Sequence, residues 1–536
     1  MRRPWKLTAI ALFILCLGLG TLMGNRLLAL TDEAQDLLRL YTEMVHVVHE
    51  QYGGEVSYED LVHSSIGGML RTLDPHTSFL APSAYDSMRE RQQTSFYGLG
   101  ILVGMRNGQL TVITPIQGTP ASRLGLRAGD VIAAIEGEST ETLSLDEAVR
   151  RLKGPKGTQV NVTIIRRGLE KPLELAITRA EIPQTTVRYP YMIDEETAYL
   201  AISDFNRGTG REVADALSDL RSQGMRSLIL DLRGNGGGLL DQAIVVAEQF
   251  LPAGAKIVET RGRTRDSFQD FSASNPAEDQ VVPVVVLVGE GTASAAEILA
   301  GAIQDHDVGL IVGTPTWGKG LVQTVYSLSY GAGIALTTAK YYTPSGRLIQ
   351  RDYSSYFDYS FDDGSATVAA IGDGPAEVFL TDLGREVYGG GGITPDIEIE
   401  PRRLNDLLQY LLGHSAFFDF GIDYSREHEI ESQDWAPPAG LVAEFRQWLL
   451  ERDLATDEEI GEALEDPETR EIVERYLHAE IFNSVFGIEA RYRVLASADS
   501  QVRRALEVLG EARDLLARRR ALDGRPDVPA MDAVGF

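Results

Sequence analysis

"SLILDLRGNGGGLLDQAIVVAEQFL", residues 227–251, sets a short apolar run, a glycine-rich turn and a longer apolar stretch in direct succession. The first run is short and rich in Leu and Ile, so it reads as a buried strand, and the stretch after the glycines reads as a helix. The same order returns in "VVPVVVLVGEGTASAAEILAGAIQD", 281–305, and "GLIVG", 309–313, supplies the next strand. Strands alternating with helices predict βαβ units and a largely parallel sheet over residues 181–400. The core is therefore an α/β fold.

Each glycine turn in such a sheet follows the carboxyl end of a strand and opens a helix, where backbone N–H groups and the helix dipole stabilise an anion. "DLRGNGGG" gathers amide donors around Gly236–Gly238, although a tight turn needing positive φ accounts for the same glycines. Ser294 sits where strand, turn and helix meet, with the Ala295 amide beside it as a ready oxyanion donor. Ser294 followed by Glu297 also fits a helix-capping box, and Thr292, the other hydroxyl of the turn, is the weaker candidate.

"VGTPTWGKG", 312–320, imitates a phosphate-binding loop through Gly313, Gly318 and Lys319, but Gly320 stands where a magnesium-binding Ser or Thr is needed. The nucleotide reading fails there. In "KGLVQ", alternation along an extended segment puts Lys319, Leu321 and Gln323 on one side. A lysine in a buried apolar place has its pKa drawn from about 10.4 towards neutrality and can take a proton from a serine hydroxyl. An exposed surface lysine is the blander alternative. His306, the histidine nearest Ser294, lies at the far end of the same helix, about 18 Å away along its axis, which is poor geometry for a serine–histidine pair.

Working outward, residues 31–94 read as a helical region. "AQDLLRLYTEMVHVVHE" places Leu37, Tyr41, Met44 and Val48 on one helix face. His46, His49 and Glu50 do not follow a zinc-protease order, so no metal is expected. Residues 95–180 read as a small β domain, with a hairpin at Asn107-Gly108, a capping box from Ser144 to Glu147, and an alternating strand in "TQVNVTIIRRG". Residues 352–392 read as a loop insertion and 401–536 as a helical extension with solvated charged faces.

The start "MRRPWK" followed by the uncharged "LTAIALFILCLGLGTLMG", 7–24, has the layout of a signal peptide or an N-terminal membrane anchor over residues 1–30. The flanking positive charge places the rest of the chain outside the cytoplasm, in the periplasmic or extracytoplasmic space. The single cysteine, Cys16, lies in this segment, so disulfides and thiol chemistry are not expected beyond it. With 43% hydrophobic and 24% charged residues the chain is globular in composition. A net charge of −28 argues against nucleic acid as a partner, and leaves membrane contact to the N-terminal segment alone.

Taken in order, "LDPHTSFL", "GLGI", "LRAGDVI", "DLRGNGGG", "GTASAAEILAGAIQD", "GTPTWGKGLVQT" and "TTAKYYTPSGRLIQ" resemble the C-terminal processing peptidases, also called tail-specific proteases. The resemblance spans about residues 35–400. It implies a multidomain α/β protein: a crotonase/ClpP-like protease core at 181–400, an inserted PDZ-like β domain at 95–180, and helical N- and C-terminal regions. By this resemblance Ser294 is the nucleophile, Lys319 the general base and Gln323 the residue orienting the lysine, with an oxyanion hole from the amides of Gly237 and Ala295. The family often has Pro where this chain has Gly236, which leaves the choice between Gly236 and Gly237 open. Gly98, Leu99, Gly100 and Ile101 correspond to the loop that captures the substrate's terminal carboxylate. The implied activity is serine endopeptidase cleavage of unfolded or tail-exposed proteins with apolar C-termini, without cofactor. Some members form homo-oligomers and some use a helical-repeat adaptor. The competing reading is a catalytically silent peptide-binding or chaperone-like scaffold.

Overall fold

A computed structural model describes residues 34–274, 281–353, 377–399, 404–497, 499–522 and 524. The apolar segment 7–24 lies outside them, and among the described residues no helix is long and apolar enough to cross a membrane. The chain divides into two compact units, one joining residues up to Ser83 with Gln323–Thr337, the other Ala84–Val322 with Thr338 onward.

The larger unit is built on a six-stranded sheet. Its strands are β1 (Val187–Met192), β2 (Thr197–Ile202), β3 (Ser227–Asp231), β4 (Val284–Val288), β5 (Gly309–Gly313) and β6 (Ile397–Glu398), hydrogen-bonded in that order. β1 runs antiparallel to β2 and every other pair is parallel. β3, β4 and β5 are buried along their whole length, as strands covered on both faces must be. Side-chain alternation then assigns two cores. Leu228, Leu230, Val284, Val286, Val288 and Ile311 point to the face covered by α1 (Thr209–Ser222), α2 (Leu240–Ala247) and α3 (Ala295–Asp305). Ile229, Val285, Leu287, Leu310 and Val312 point to the other face, covered by α4 (Ser500–Glu507) and α5 (Leu509–Leu522) through Val502, Ala505, Val508, Ala512 and Leu515. The end of the C-terminal extension is thus the second layer of the α/β core.

The rest of that extension, from Asp406–Gly413 to Ile488–Ser497, forms a helical bundle with its own core around Phe417, Phe420, Phe445 and Leu477. A six-stranded antiparallel sheet occupies Ile101–Thr178, starting with the hairpin Ile101–Arg106/Gln109–Pro115, whose turn residues Asn107 and Gly108 take φ of 49° and 74°. The helix Leu145–Leu152 begins at Ser144, whose side chain accepts from the Glu147 amide; the Glu147 carboxylate turns to Arg150 and Arg151, so only half of the expected capping box forms.

One local expectation fails, and one reading is sharpened. The stretch 352–392 is not all loop: beyond 354–376, which lie outside the described residues, Val378–Leu380 and Glu386–Tyr388 pair as a hairpin. The helix at 34–51 forms as the spacing predicts, but its apolar face is exposed, with Leu37 and Met44 more than half exposed and Val45 buried. Helical spacing shows that a face exists, and packing chooses which face is used.

The smaller unit also carries the "LDPHTSFL" stretch. Asp74 accepts from the amides of His76 and Thr77 and from the Thr77 hydroxyl, which fixes the turn before the short strand Ser78–Leu80 pairs with Gly333–Ala335. His46 meets the Tyr58 hydroxyl and His49 stacks on the Tyr58 ring.

Candidate active site

β4 ends at Val288 and α3 begins at Ala295, so residues 289–294 must turn the chain over the sheet edge. Buried Thr292 fixes the turn: its hydroxyl accepts from the Gly289 amide at 3.0 Å and donates to the Leu232 carbonyl at 2.8 Å. The weaker hydroxyl candidate is therefore a structural one. Ser294, half-buried, has φ 57° and ψ −118°, a conformation that costs a non-glycine residue about 1–3 kcal/mol and persists only where surrounding bonds impose it.

Those bonds come from two side chains. Glu297 is fully buried, and its Oε2 accepts the Ser294 amide at 2.7 Å and the Lys319 amide at 2.9 Å. Its Oε1 accepts the Gly318 amide at 2.8 Å and the Thr316 hydroxyl at 2.5 Å. Complete burial pushes this carboxyl above the usual range, against the opposing hydrogen bonds from Thr316, Lys319, Gly318 and Ser294. Tyr341, also buried, directs its hydroxyl at the carbonyls of Ser294, 3.1 Å away, and Lys319. Nucleophile and base candidates are thus tied to each other at both backbone ends. The reach of Glu297 to the Ser294 amide is the capping contact foreseen in the sequence; its hold on Lys319 is not legible there, nor is Tyr341.

Lys319 precedes the strand Leu321–Ser327 instead of lying in it. The reason is that side chains consume the local amides: Gly318 and Lys319 donate to Glu297, and Gly320 donates to Gln350 Oε1. Gln323 belongs to the smaller unit, where its amide nitrogen donates to the His76 carbonyl at 2.6 Å. His306 caps the end of α3 and meets Asp382 at 2.8 Å and the Lys256 carbonyl at 2.6 Å, which makes it a packing residue.

The glycine loop after β3 lies against Ser294. A Cβ on Gly237 would come within 2.8 Å of the Ser294 Cβ and 2.9 Å of the Ala295 nitrogen, so only glycine, here at φ 100°, permits the approach. Buried Asn235 holds the loop: its Nδ2 donates to the Ile202 carbonyl, its own carbonyl accepts the Ala293 amide, and its Oδ1 accepts the Gly237 amide at 2.8 Å. Among the described residues no acceptor meets the amides of Gly236 or Ala295. Sequence reasoning does not single out Asn235, and nothing local marks it.

In the antiparallel domain, Gly98, Leu99 and Gly100 are buried and Ile101 starts an edge strand, with the helix Leu145–Leu152 beside it. Gly100 has φ 78°, and a Cβ there would lie 2.2 Å from Thr119 Cβ. The Leu99 carbonyl accepts from Ala121 and the Gly100 carbonyl from Ile116 and the Thr119 hydroxyl, whereas among the described residues no acceptor meets the Leu99 or Gly100 amides. A loop with anchored carbonyls and unengaged amides suits a carboxylate.

Comparison with known proteins gives the family. The model of peptidase family S41 matches residues 196–354, and that of the PDZ domain matches 111–166. The carboxy-terminal-processing protease of Bartonella bacilliformis is 40% identical over 317 residues, covering 58% of this chain and 72% of the relative. The carboxyl-terminal-processing protease of Synechocystis is 38% identical over 371 residues, covering 64% and 84%. Carboxy-terminal processing protease CtpA of Bacillus subtilis is 32% identical over 345 residues, covering 64% and 72%. With identity at this level across most of each relative, and with a protease core and a PDZ domain in one chain, this protein belongs to the carboxy-terminal processing proteases of peptidase family S41.

Proposed function

We propose that Ser294 and Lys319 are the nucleophile and general base of this serine protease, and that the PDZ domain presents the C-terminal tail of the substrate. The observation that carries the assignment is the buried Glu297 carboxylate, whose Oε2 takes the amides of both residues. In the reaction the neutral Lys319 amine takes the Ser294 proton as Oγ bonds to the peptide carbonyl carbon. The oxyanion is met by the Ala295 amide and by the glycine loop. Gly237 serves there by exchanging Asn235 Oδ1 for the oxyanion, and the neighbouring Gly236 amide is the alternative donor. The lysinium protonates the departing amine as the C–N bond breaks. Water, deprotonated by the same lysine, then cleaves the acyl ester and restores Ser294. Gln323 is the residue proposed to orient the lysine, by family membership.

Recognition in this reading uses Gly98–Ile101 for the terminal carboxylate and the edge strand from Ile101 for backbone pairing. Substrates are unfolded or tail-exposed proteins with apolar C-termini. The segment 7–24 directs the protein across the inner membrane or anchors it there, with the protease on the outer side. A second copy or a helical-repeat adaptor is a partner that chromatography of the active protein would reveal.

The deciding test incubates the purified protein with an unfolded protein ending in apolar residues, beside Ser294→Ala and Lys319→Ala. Cleavage falling about a thousandfold or more in both variants is expected. Unchanged cleavage in either variant removes that residue from its role, and tail binding without cleavage by the wild type leaves the scaffold reading in its place.

A further inference from the structure

The C-terminal helices lie beyond the stretch matched to peptidase family S41, yet they reach the glycine loop. Arg233 opens that loop, four residues before Gly237. Its Nε and NH2 bind the Asp231 carboxylate, and its NH1 donates to Asp499 Oδ2 at 2.9 Å and Gln501 Oε1 at 2.8 Å. Asp231 is held in turn by the Tyr199 hydroxyl and by the Arg233 amide. Asp499 does two things with one carboxylate: Oδ1 caps α4 by accepting the amides of Gln501 and Val502, and Oδ2 takes Arg233. Because α4 and α5 bury Val502, Val508 and Leu515 against the sheet, the two acceptors stand on a fixed base.

The turn that Arg233 belongs to is also the turn that touches the nucleophile segment. The Leu232 carbonyl accepts the Thr292 hydroxyl, the Asn235 carbonyl accepts the Ala293 amide, and a Cβ on Gly291 would lie 3.0 Å from the Gly234 Cα. The guanidinium is thus anchored in the same turn whose backbone packs on the Ser294 segment. We propose that Asp499 and Gln501 are positioning residues for the protease: through Arg233 they hold the glycine loop in register with Ser294, so the C-terminal helices form part of the catalytic apparatus. This rests on the assignment of Ser294 and the glycine loop made above.

The test uses the full chain and a fluorogenic peptide with an apolar C-terminus, reading kcat and KM separately, with tail-peptide affinity and Tm measured on the same preparations. Asp499→Ser keeps a helix cap and removes Oδ2. Gln501→Ala leaves Asp499 untouched, and Gln501→Glu restores an acceptor. The expected result for Asp499→Ser with Gln501→Ala is a fall in kcat of about tenfold at unchanged KM and tail affinity, with Tm only a few degrees lower, since small misplacement of a transition-state donor acts on the chemical step. Gln501→Glu alone is expected to keep wild-type kcat. An unchanged kcat overturns the proposal, and so does a joint fall of kcat, tail affinity and Tm, which would mark a merely structural contact. If the double variant does not fold, Gln501→Ala alone decides on the same readings. Ser294→Ala in parallel separates the two readings: activity surviving in it refutes the site assignment, whereas an inactive Ser294→Ala beside an unaltered double variant refutes only the link.

Discussion

The chain makes two glycine-led loops, after β3 and before the PDZ edge strand, and uses them in opposite ways. At Gly237 the backbone amide is taken by Asn235, and the surrounding polar groups of Asn235, Thr292 and Glu297 are buried and bonded. At Leu99 and Gly100 the carbonyls are anchored, and the strand that follows exposes Leu102 and Met105. The first arrangement fixes atoms where the proposed function needs a barrier lowered, and a fully satisfied buried network specifies one geometry. In the proposed function, the second leaves donors and an edge open for a partner supplied from outside. Rigidity belongs to chemistry here and openness to recognition.

The severest way to break the contrast is Glu297→Ala. It strands four donors in a dry site, so activity is expected to fall about a thousandfold and stability by about 3 kcal/mol, read by peptide cleavage and by denaturant unfolding. Retention of activity would show that the network is not what holds Ser294 and Lys319 together. Gly237→Ala comes next. Its Cβ meets Ser294 and Ala295, so kcat should drop about a hundredfold while tail-peptide affinity stays as in the wild type. Gly100→Ala is the mirror experiment: strain against Thr119 should weaken tail binding about tenfold, by fluorescence anisotropy, with kcat at saturation preserved. If the two glycine variants disturb both readings alike, the division of labour between the loops is wrong.

The smallest effect concerns His306, outside both loops. Burial alone would lower its pKa, but Asp382 and the Lys256 carbonyl outweigh it and raise the imidazole above its ordinary value. The folded state therefore holds the proton more tightly than the unfolded one. The stabilisation is complete below the unfolded value near 6.5 and is lost as pH rises through the folded value. His306→Ala is expected to cost about 1–2 kcal/mol at pH 5.5, with the difference from wild type shrinking as pH rises and activity per folded molecule unchanged. A difference that grows with pH would contradict the sign.

Much of this was legible in the chain itself. The apolar runs at 227–231, 284–288 and 309–313 could only be buried strands, because each is short, nearly continuous and closed by a turn signal. Asn107-Gly108 dictated its hairpin through the positive φ that these residues tolerate. The positions of Ser294 and Lys319 within their motifs, and the family they indicate, were equally readable. Local signals stopped short where the outcome depended on what lay opposite, as for the exposed apolar face of the helix at 34–51 and for Lys319, whose amide prefers a carboxylate to a ladder.

What the sequence determined by itself was therefore the elements, their order and the side chains proposed to react, since periodicity, turn chemistry and capping act over a few residues. Tertiary structure alone decided that Glu297 would join Ser294 to Lys319, that Tyr341 would meet both their carbonyls, and that Arg233 would find its acceptors at Asp499 and Gln501, more than 260 residues away. The physical reason is that a buried polar group must find partners wherever folding leaves them, and the cost of an unmet donor or acceptor is the same whatever the distance along the chain.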